Sequence, residues 1–211
     1  FYYAFNKKNR QLFFASELKA LWAAGLPRSI DENMLLNYLT LGYTTHPTDS
    51  GKTFYSGLFK LPAGHYIQFS PYGEKADIKV ARYWNLDKGN IIQVGEEEAI
   101  GQFNQLFHQS VNRRLRADVS IGTSLSGGLD SSSVVAAIHQ QLSVNDFYQQ
   151  QTFTAGFPNY EKDETSYAKI VATQFGLKQY FTQPSAGNLA DELVKLVQHH
   201  EEPISSASVY A

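Results

Sequence analysis

The sequence predicts an α/β fold, a parallel sheet with helices on both faces, preceded by a smaller α+β region. Three observations carry this expectation. Beyond about Val119, brief apolar strands alternate with helical segments, the pattern of a parallel sheet whose crossovers are helices. Before about Leu86 the chain is rich in aromatic residues and reads as short strands broken by turns. Between the two, Gly89-Asn90 is a natural break, which assigns residues 1–88 to the first domain and 89–211 to the second.

In the first region, Tyr2-Tyr3-Ala4-Phe5 and Gln11-Leu12-Phe13-Phe14-Ala15 flank the turn Asn6-Lys7-Lys8-Asn9 and predict a hairpin. Ser16 is positioned to cap a short helix through Leu18 and Leu21-Trp22 that ends near Gly25. Ile30-Asp31 opens a second helix with Met34, Leu35, Tyr38 and Leu39 on one face, and a strand pair surrounds Pro62-Ala63-Gly64. In the second region, Glu96 to Arg116 carries Ile100, Phe103, Leu106, Phe107, Val111 and Leu115 at helical spacing. Its first turn is acidic and its last holds Arg113, Arg114 and Arg116, which suits the helix dipole and reads as a solvated C-terminal turn. There follow a strand (Val119 to Leu125), a helix (Ser131 to Gln141), a strand (Thr152 to Gly156), a helix (Asp163 to Phe175), a strand (Lys178 to Thr182) and a helix (Leu189 to His199).

The totals exclude several classes of function. A formal net charge of −2 with scattered Lys and Arg gives no field for nucleic-acid phosphates. No apolar run approaches the roughly 20 residues that cross a bilayer, so no membrane partner and a cytoplasmic location are expected. The absence of cysteine rules out disulfides, thiolate metal ligands and a cysteine nucleophile in this sequence.

The chemistry concentrates between the first predicted strand and helix of the second region, at Ser126-Gly127-Gly128-Leu129-Asp130-Ser131-Ser132. In an open parallel sheet, ligands sit at the carboxyl ends of strands. Two adjacent glycines allow successive N–H groups to bear on one anion, and the following helix presents its positive end. Ser126, Ser131 and Ser132 add hydroxyls, and Asp130 is a carboxylate suited to hold Mg²⁺ against phosphate oxygens. The string lacks the lysine of a Walker A loop and the spacing of a dinucleotide fingerprint. Gly122-Thr123-Ser124-Leu125-Ser126 misses the last glycine of a nucleophile elbow.

This loop resembles the pyrophosphate loop of the ATP pyrophosphatases in the spelling of the glutamine-dependent asparagine synthetase family. Phe14-Ala15-Ser16-Glu17-Leu18-Lys19-Ala20-Leu21, Leu61-Pro62-Ala63-Gly64-His65-Tyr66, Tyr83-Trp84 and Glu202-Pro203 agree with that family in order and spacing. The resemblance implies that residues 1–88 are the C-terminal part of a class II glutaminase-type amidotransferase domain and 89–211 the N-terminal part of a synthetase domain. It implies ATP and Mg²⁺ as cofactors, and as substrates aspartate or another carboxylate together with ammonia from glutamine. The reaction would be amidation of aspartate through β-aspartyl-AMP, releasing AMP and pyrophosphate. By the same resemblance, Leu125 and Ala155 would touch the nucleoside and Ser126, Gly127, Gly128, Leu129, Asp130, Ser131 and Ser132 would bind pyrophosphate, with Asp130 as metal ligand. Ala155 ends a strand beside the loop and is small enough to leave room for a base, although by itself a small residue there is better explained by packing.

The sequence departs from the family pattern where the glutaminase nucleophile is concerned. It has no cysteine and begins at Phe1, and the second glycine- and acid-rich motif of the family is absent before Ala211. The 211-residue chain is therefore expected to lack glutaminase activity and to have little or no synthetase activity. Its catalytic residues are not identified, and a homodimer stays open. Asp163 and Glu164 read as helix caps in preference to metal ligands. His199-His200-Glu201-Glu202 does not read as a metal cluster, because adjacent helical residues point apart, and Glu202 ranks as a secondary active-site candidate. Two other functions remain in competition with asparagine synthesis: amidation of a different carboxylate, such as a sugar acid of polysaccharide, and ATP binding without catalysis.

Overall fold

The computed structural model describes residues 1–72, 77–142, 150–158, 160–161 and 163–210. Two compact units are present, one of residues 1–90 with 191–209, the other of residues 91–190 with 210–211. No helix among the described residues is long and apolar enough to cross a membrane.

The first unit is built on the expected hairpin. β1 (Tyr2–Asn6) and β2 (Gln11–Ala15) are antiparallel with Tyr2 opposite Ala15, and β3 (Phe59–Lys60) adds to the other edge of β1. Helix α1 (Leu18–Ala23) buries Leu18 and Leu21 against Ala4 and Leu58. Helix α2 (Glu32–Leu41) starts where predicted, with the Asp31 side chain accepting from the Met34 N–H at 3.0 Å. It stops at Gly42 in the left-handed region, φ 70°. The strands on either side of Pro62-Ala63-Gly64 are present, but they are not each other's partners. β3 pairs with β1, while β4 (His65–Ser70) pairs with β5 (Asp77–Arg82). The turn is tied down by its neighbours instead: Gly64 has φ +69°, and its carbonyl accepts from the N–H groups of both Tyr83 and Trp84.

The cap of α1 comes from a distant part of the chain. Ser16 does not cap it. The residue at the cap position is Glu17, and it makes no side-chain cap hydrogen bond. The first-turn N–H groups of Leu18 and Lys19 donate to the two carboxylate oxygens of Glu201, at 2.6 and 2.9 Å. A helix start needs an acceptor for its free N–H groups and favours a negative charge, and a carboxylate supplies both. Glu202 is equally buried, accepting from the Phe54 N–H at 3.1 Å and pairing with Lys60 Nζ at 2.6 Å.

Burial, followed by the charges of Glu202 and Glu201, pushes the Tyr2 phenol up to about 12 from an ordinary 10.0. A pKa raised in the folded state favours the neutral phenol there. Its contribution to stability is thus complete below pH 10 and is lost as pH rises towards 12. In an ultraviolet titration, Tyr2→Phe is expected to remove a phenol that ionises late, near pH 12, and to leave the main tyrosine transition unchanged.

The second unit has a parallel three-stranded sheet flanked by helices, in strand order β6 (Gly122–Ser124), β7 (Gln151–Ala155), β8 (Lys178–Thr182). Its helices are α3 (Glu96–Arg114), α4 (Leu129–Gln141), α5 (Thr165–Gln174) and the start of α6 (Ala186–His200), which from Asp191 on clusters with the first unit. β6 is shorter than Val119 to Leu125. Its ladder begins at Gly122 opposite Gln151, the first residue of β7, and Val119 is left exposed. Leu125, Val135, Ala168 and Ala172 form one core between the sheet, α4 and α5, while Val111, Ala137 and Ile138 join α3 to α4. Thr152 and Thr154 are buried in β7, and Thr154 Oγ1 donates to the Leu125 carbonyl at 2.7 Å. Between them Phe153 stacks on Tyr180 at 5.1 Å.

Candidate functional site

The loop Ser126–Ser132 joins the end of β6 to α4. Leu125 extends the ladder with its N–H bonded to the Phe153 carbonyl at 2.9 Å, and its side chain is only 1% exposed. The chain then turns sharply at Gly127, φ +95°. A Cβ on Gly127 would lie 2.6 Å from the Ala168 nitrogen, 2.8 Å from the Glu164 carbonyl and 2.8 Å from Tyr167 Cβ. The loop therefore runs directly against the first turn of α5, and only glycine satisfies both the backbone angle and the space.

Gly128 is the N-cap of α4, with φ −68° and ψ 165°. The helix begins at Leu129, two residues ahead of the predicted start, so Leu129, Asp130 and Ser131 form its first turn. No side-chain cap bond closes that turn, and a helix start leaves its first main-chain N–H groups without intrahelical acceptors. Within the loop, Ser126 Oγ lies 3.0 Å from Ser131 Oγ and accepts from the Gly128 N–H at 3.2 Å, while Ser131 Oγ donates to the Gly128 carbonyl at 3.2 Å. The Ser132 N–H closes the first α4 bond onto Gly128 at 3.1 Å. Asp130 is exposed in the first turn. A carboxylate next to a phosphate cradle would repel the anion unless a cation bridged them, so this donor set fits a phosphate ligand carrying a divalent ion.

Ala155, the last residue of β7, is half-buried and opposite Thr182. Asp163 does not cap α5. Its Oδ1 accepts from the Phe157 N–H at 2.9 Å and the Thr165 hydroxyl at 2.8 Å, tying the segment after β7 to the helix start. Those two bonds, the Phe157 N–H first, hold its carboxyl below the usual range. Glu164 occupies the cap position, again without a side-chain cap bond, and its Oε2 lies 3.8 Å from where a Gly128 Cβ would stand. Sequence reasoning missed Tyr167 and Ala168 as the wall behind Gly127; the one hint was a small residue on the buried face of α5. A groove of about 610 Å³ shares Asp130 with the loop; Phe103, Phe107, Leu129, Val134 and Ala137 give it a mostly apolar lining, Asn104, His108, Ser133 and Gln140 add polar groups, and no Lys or Arg lines it. His199 and His200 place their Nδ1 atoms on different main-chain carbonyls, Lys195 at 3.0 Å and Glu202 at 2.9 Å.

The family model for asparagine synthase matches residues 102–211, and that for a glutamine amidotransferase domain matches residues 1–84. The chain belongs to the asparagine synthase family. Among curated members, it is 29% identical over 200 residues to asparagine synthetase [glutamine-hydrolyzing] 1 of Bacillus subtilis, covering 93% of this chain and 29% of that protein. To asparagine synthetase [glutamine-hydrolyzing] 2 of the same organism it is 28% identical over 200 residues, covering 90% of this chain and 25% of the relative. It is also 28% identical over 166 residues to amidase chyE of Penicillium rubens, covering 72% of this chain and 24% of the relative. This asparagine synthase family chain thus spans between 24% and 29% of the length of these relatives, and both matched regions bear on it. The loop Ser126–Ser132 lies inside the synthase match, and the β1–β2 hairpin with α1 lies inside the amidotransferase match.

Proposed function

We propose that this chain is part of a glutamine-hydrolysing asparagine synthetase and contributes the ATP pyrophosphate site at Ser126–Ser132. The observation that carries the reading is the uncapped first turn of α4 behind a glycine-only turn, flanked by the hydroxyls of Ser126 and Ser131 and by exposed Asp130. In the complete protein, a carboxylate oxygen of aspartate attacks the α-phosphorus of ATP and pyrophosphate leaves. Ammonia from glutamine then attacks the acyl carbon, and AMP leaves with its bonding electron pair. The loop amides and serine hydroxyls would hold the β- and γ-phosphates and take up negative charge as pyrophosphate separates. Mg²⁺, when bound, would neutralise phosphate charge, and Asp130 is the residue here to hold it. Leu125 and Ala155 would border the nucleoside, Leu125 through its main chain, since its side chain belongs to the core.

Asp130→Asn is expected to weaken Mg-ATP binding by at least the roughly tenfold that loss of even an outer partner costs a metal site, while metal-free ATP binding holds or tightens, because a repelling carboxylate is gone. Titration calorimetry with and without Mg²⁺ reads both. The direct test of the reaction is pyrophosphate release by the full-length protein with Mg-ATP and ammonia, with and without aspartate. Aspartate-dependent release is the expected result; ATP binding without it would refute asparagine synthesis. A second acceptor reading, a different carboxylate amidated by the same chemistry, would use the same loop, and a panel of carboxylates in the same assay would find it.

A further inference from the structure

Glu201 and Glu202 are two consecutive carboxylates, only 5% and 6% exposed, at the C-terminal end of α6. Their own helix gives no reason for them, since its carbonyl end disfavours negative charge. Glu201 also adopts φ +67°, a conformation that side chains other than glycine rarely take and that persists only where surrounding contacts impose it. The contacts are there. Glu201 closes the start of α1 through Leu18 and Lys19, and its carbonyl accepts from the Tyr55 hydroxyl at 2.8 Å. Glu202 holds the Phe54 N–H and Lys60, and the Tyr38 hydroxyl reaches the Ile204 carbonyl at 3.2 Å. The left-handed residue makes the arrangement possible, turning the chain so that successive side chains reach two separate sockets in the same unit.

We propose that residues 199–204 form a two-pronged latch, in which Glu201 and Glu202 engage and release together and lock α1 and the segment Phe54–Lys60 into one cooperative unit. The segment 191–209 lies inside the synthase family match yet packs with the residues of the amidotransferase match. The consequence is that the amidotransferase-like unit is not a self-contained domain ending near residue 84 or 90. It is completed by a strap supplied from the synthase-matched part of the chain. This inference does not depend on the proposed ATP chemistry.

Glu202 is buried while the Lys60 side chain keeps 29% of its surface exposed, and breaking a partly buried ion pair on one side leaves a charge without its partner, whereas removal of both charges is better tolerated. This asymmetry supplies the test, made by amide hydrogen exchange of the whole 211-residue chain. Glu202→Gln keeps an acceptor for the Phe54 N–H but leaves Lys60 without its carboxylate. The latch predicts that the Leu18 and Lys19 amides, which Glu202 does not touch, exchange faster by about tenfold or more, because they open with the strap as one unit. Adding Lys60→Met is expected to restore their protection to within about threefold of the parent chain. Faster exchange at Leu18 and Lys19, confined to the strap's partners or spread through residues 1–60, supports the latch if the double variant reverses it. Unchanged exchange at these two amides, or acceleration that Lys60→Met does not reverse, overturns it.

Discussion

Gly127→Ala is expected to destabilise the second unit by roughly 2–6 kcal/mol, the sum of a left-handed backbone forced on a side chain and of overpacking against a main chain. The methyl would fall 2.6 Å from the Ala168 nitrogen and 2.8 Å from the Glu164 carbonyl, and both are main-chain atoms of α5 that cannot step aside as a flexible side chain would. Either the loop lifts away from α5 or the helix start shifts, and both movements displace the first turn of α4. Urea denaturation gives the stability, and calorimetry with Mg-pyrophosphate gives the binding. Gly128→Ala is the matched comparison. There φ is −68° and the nearest atoms to a new Cβ are Ser126 Oγ at 3.4 Å and Glu164 Oε2 at 3.8 Å, so the stability cost stays near the ~1 kcal/mol of a poorer N-cap. Under the proposed anion site its effect falls on binding, because the methyl adds bulk beside Ser126 Oγ in the loop. Equal destabilisation by the two variants would contradict the packing described for Gly127.

The second large effect is expected at Leu125. Its side chain is 1% exposed and packs with Val135, Ala168 and Ala172, so Leu125→Ala removes core volume shared by the sheet, α4 and α5. The expected loss is about 2–5 kcal/mol, the range for large-to-small changes in a core that collapses only partly around the cavity. Since the side chain faces the core, nucleotide affinity of the folded variant should stay within about threefold of the parent, far less than the tenfold of one lost polar contact. A large fall in affinity at unchanged stability would mean that the leucine side chain meets the nucleotide.

Much of this was legible locally. The hairpin followed from its strand residues and the turn at Asn6–Asn9, and Asp31 capped α2 through Met34, three residues on. The bounds of β8 matched in full, because its strand residues are set off on both sides by turn-forming residues. The strand-loop-helix placement of Ser126–Ser132 was legible because two glycines and a run of serines follow an apolar strand and precede a helical pattern. Boundaries were read less well where a partner decides them. β6 is three residues long because β7 starts at Gln151, and α4 begins early because Gly128 takes the cap conformation. Asp163 resembled a cap in sequence, yet it bonds back to Phe157.

By itself, the sequence determined the order of the elements, the family and the composition of the loop, since propensity, periodicity and turn chemistry act over a few neighbouring residues. Only the tertiary structure decided why Gly127 must be glycine, with α5 behind it, and what caps α1, with Glu201 reaching it from the other end of the chain. Hydrogen bonds and steric limits depend on distance in space, and no pattern along the chain records which residues meet after folding.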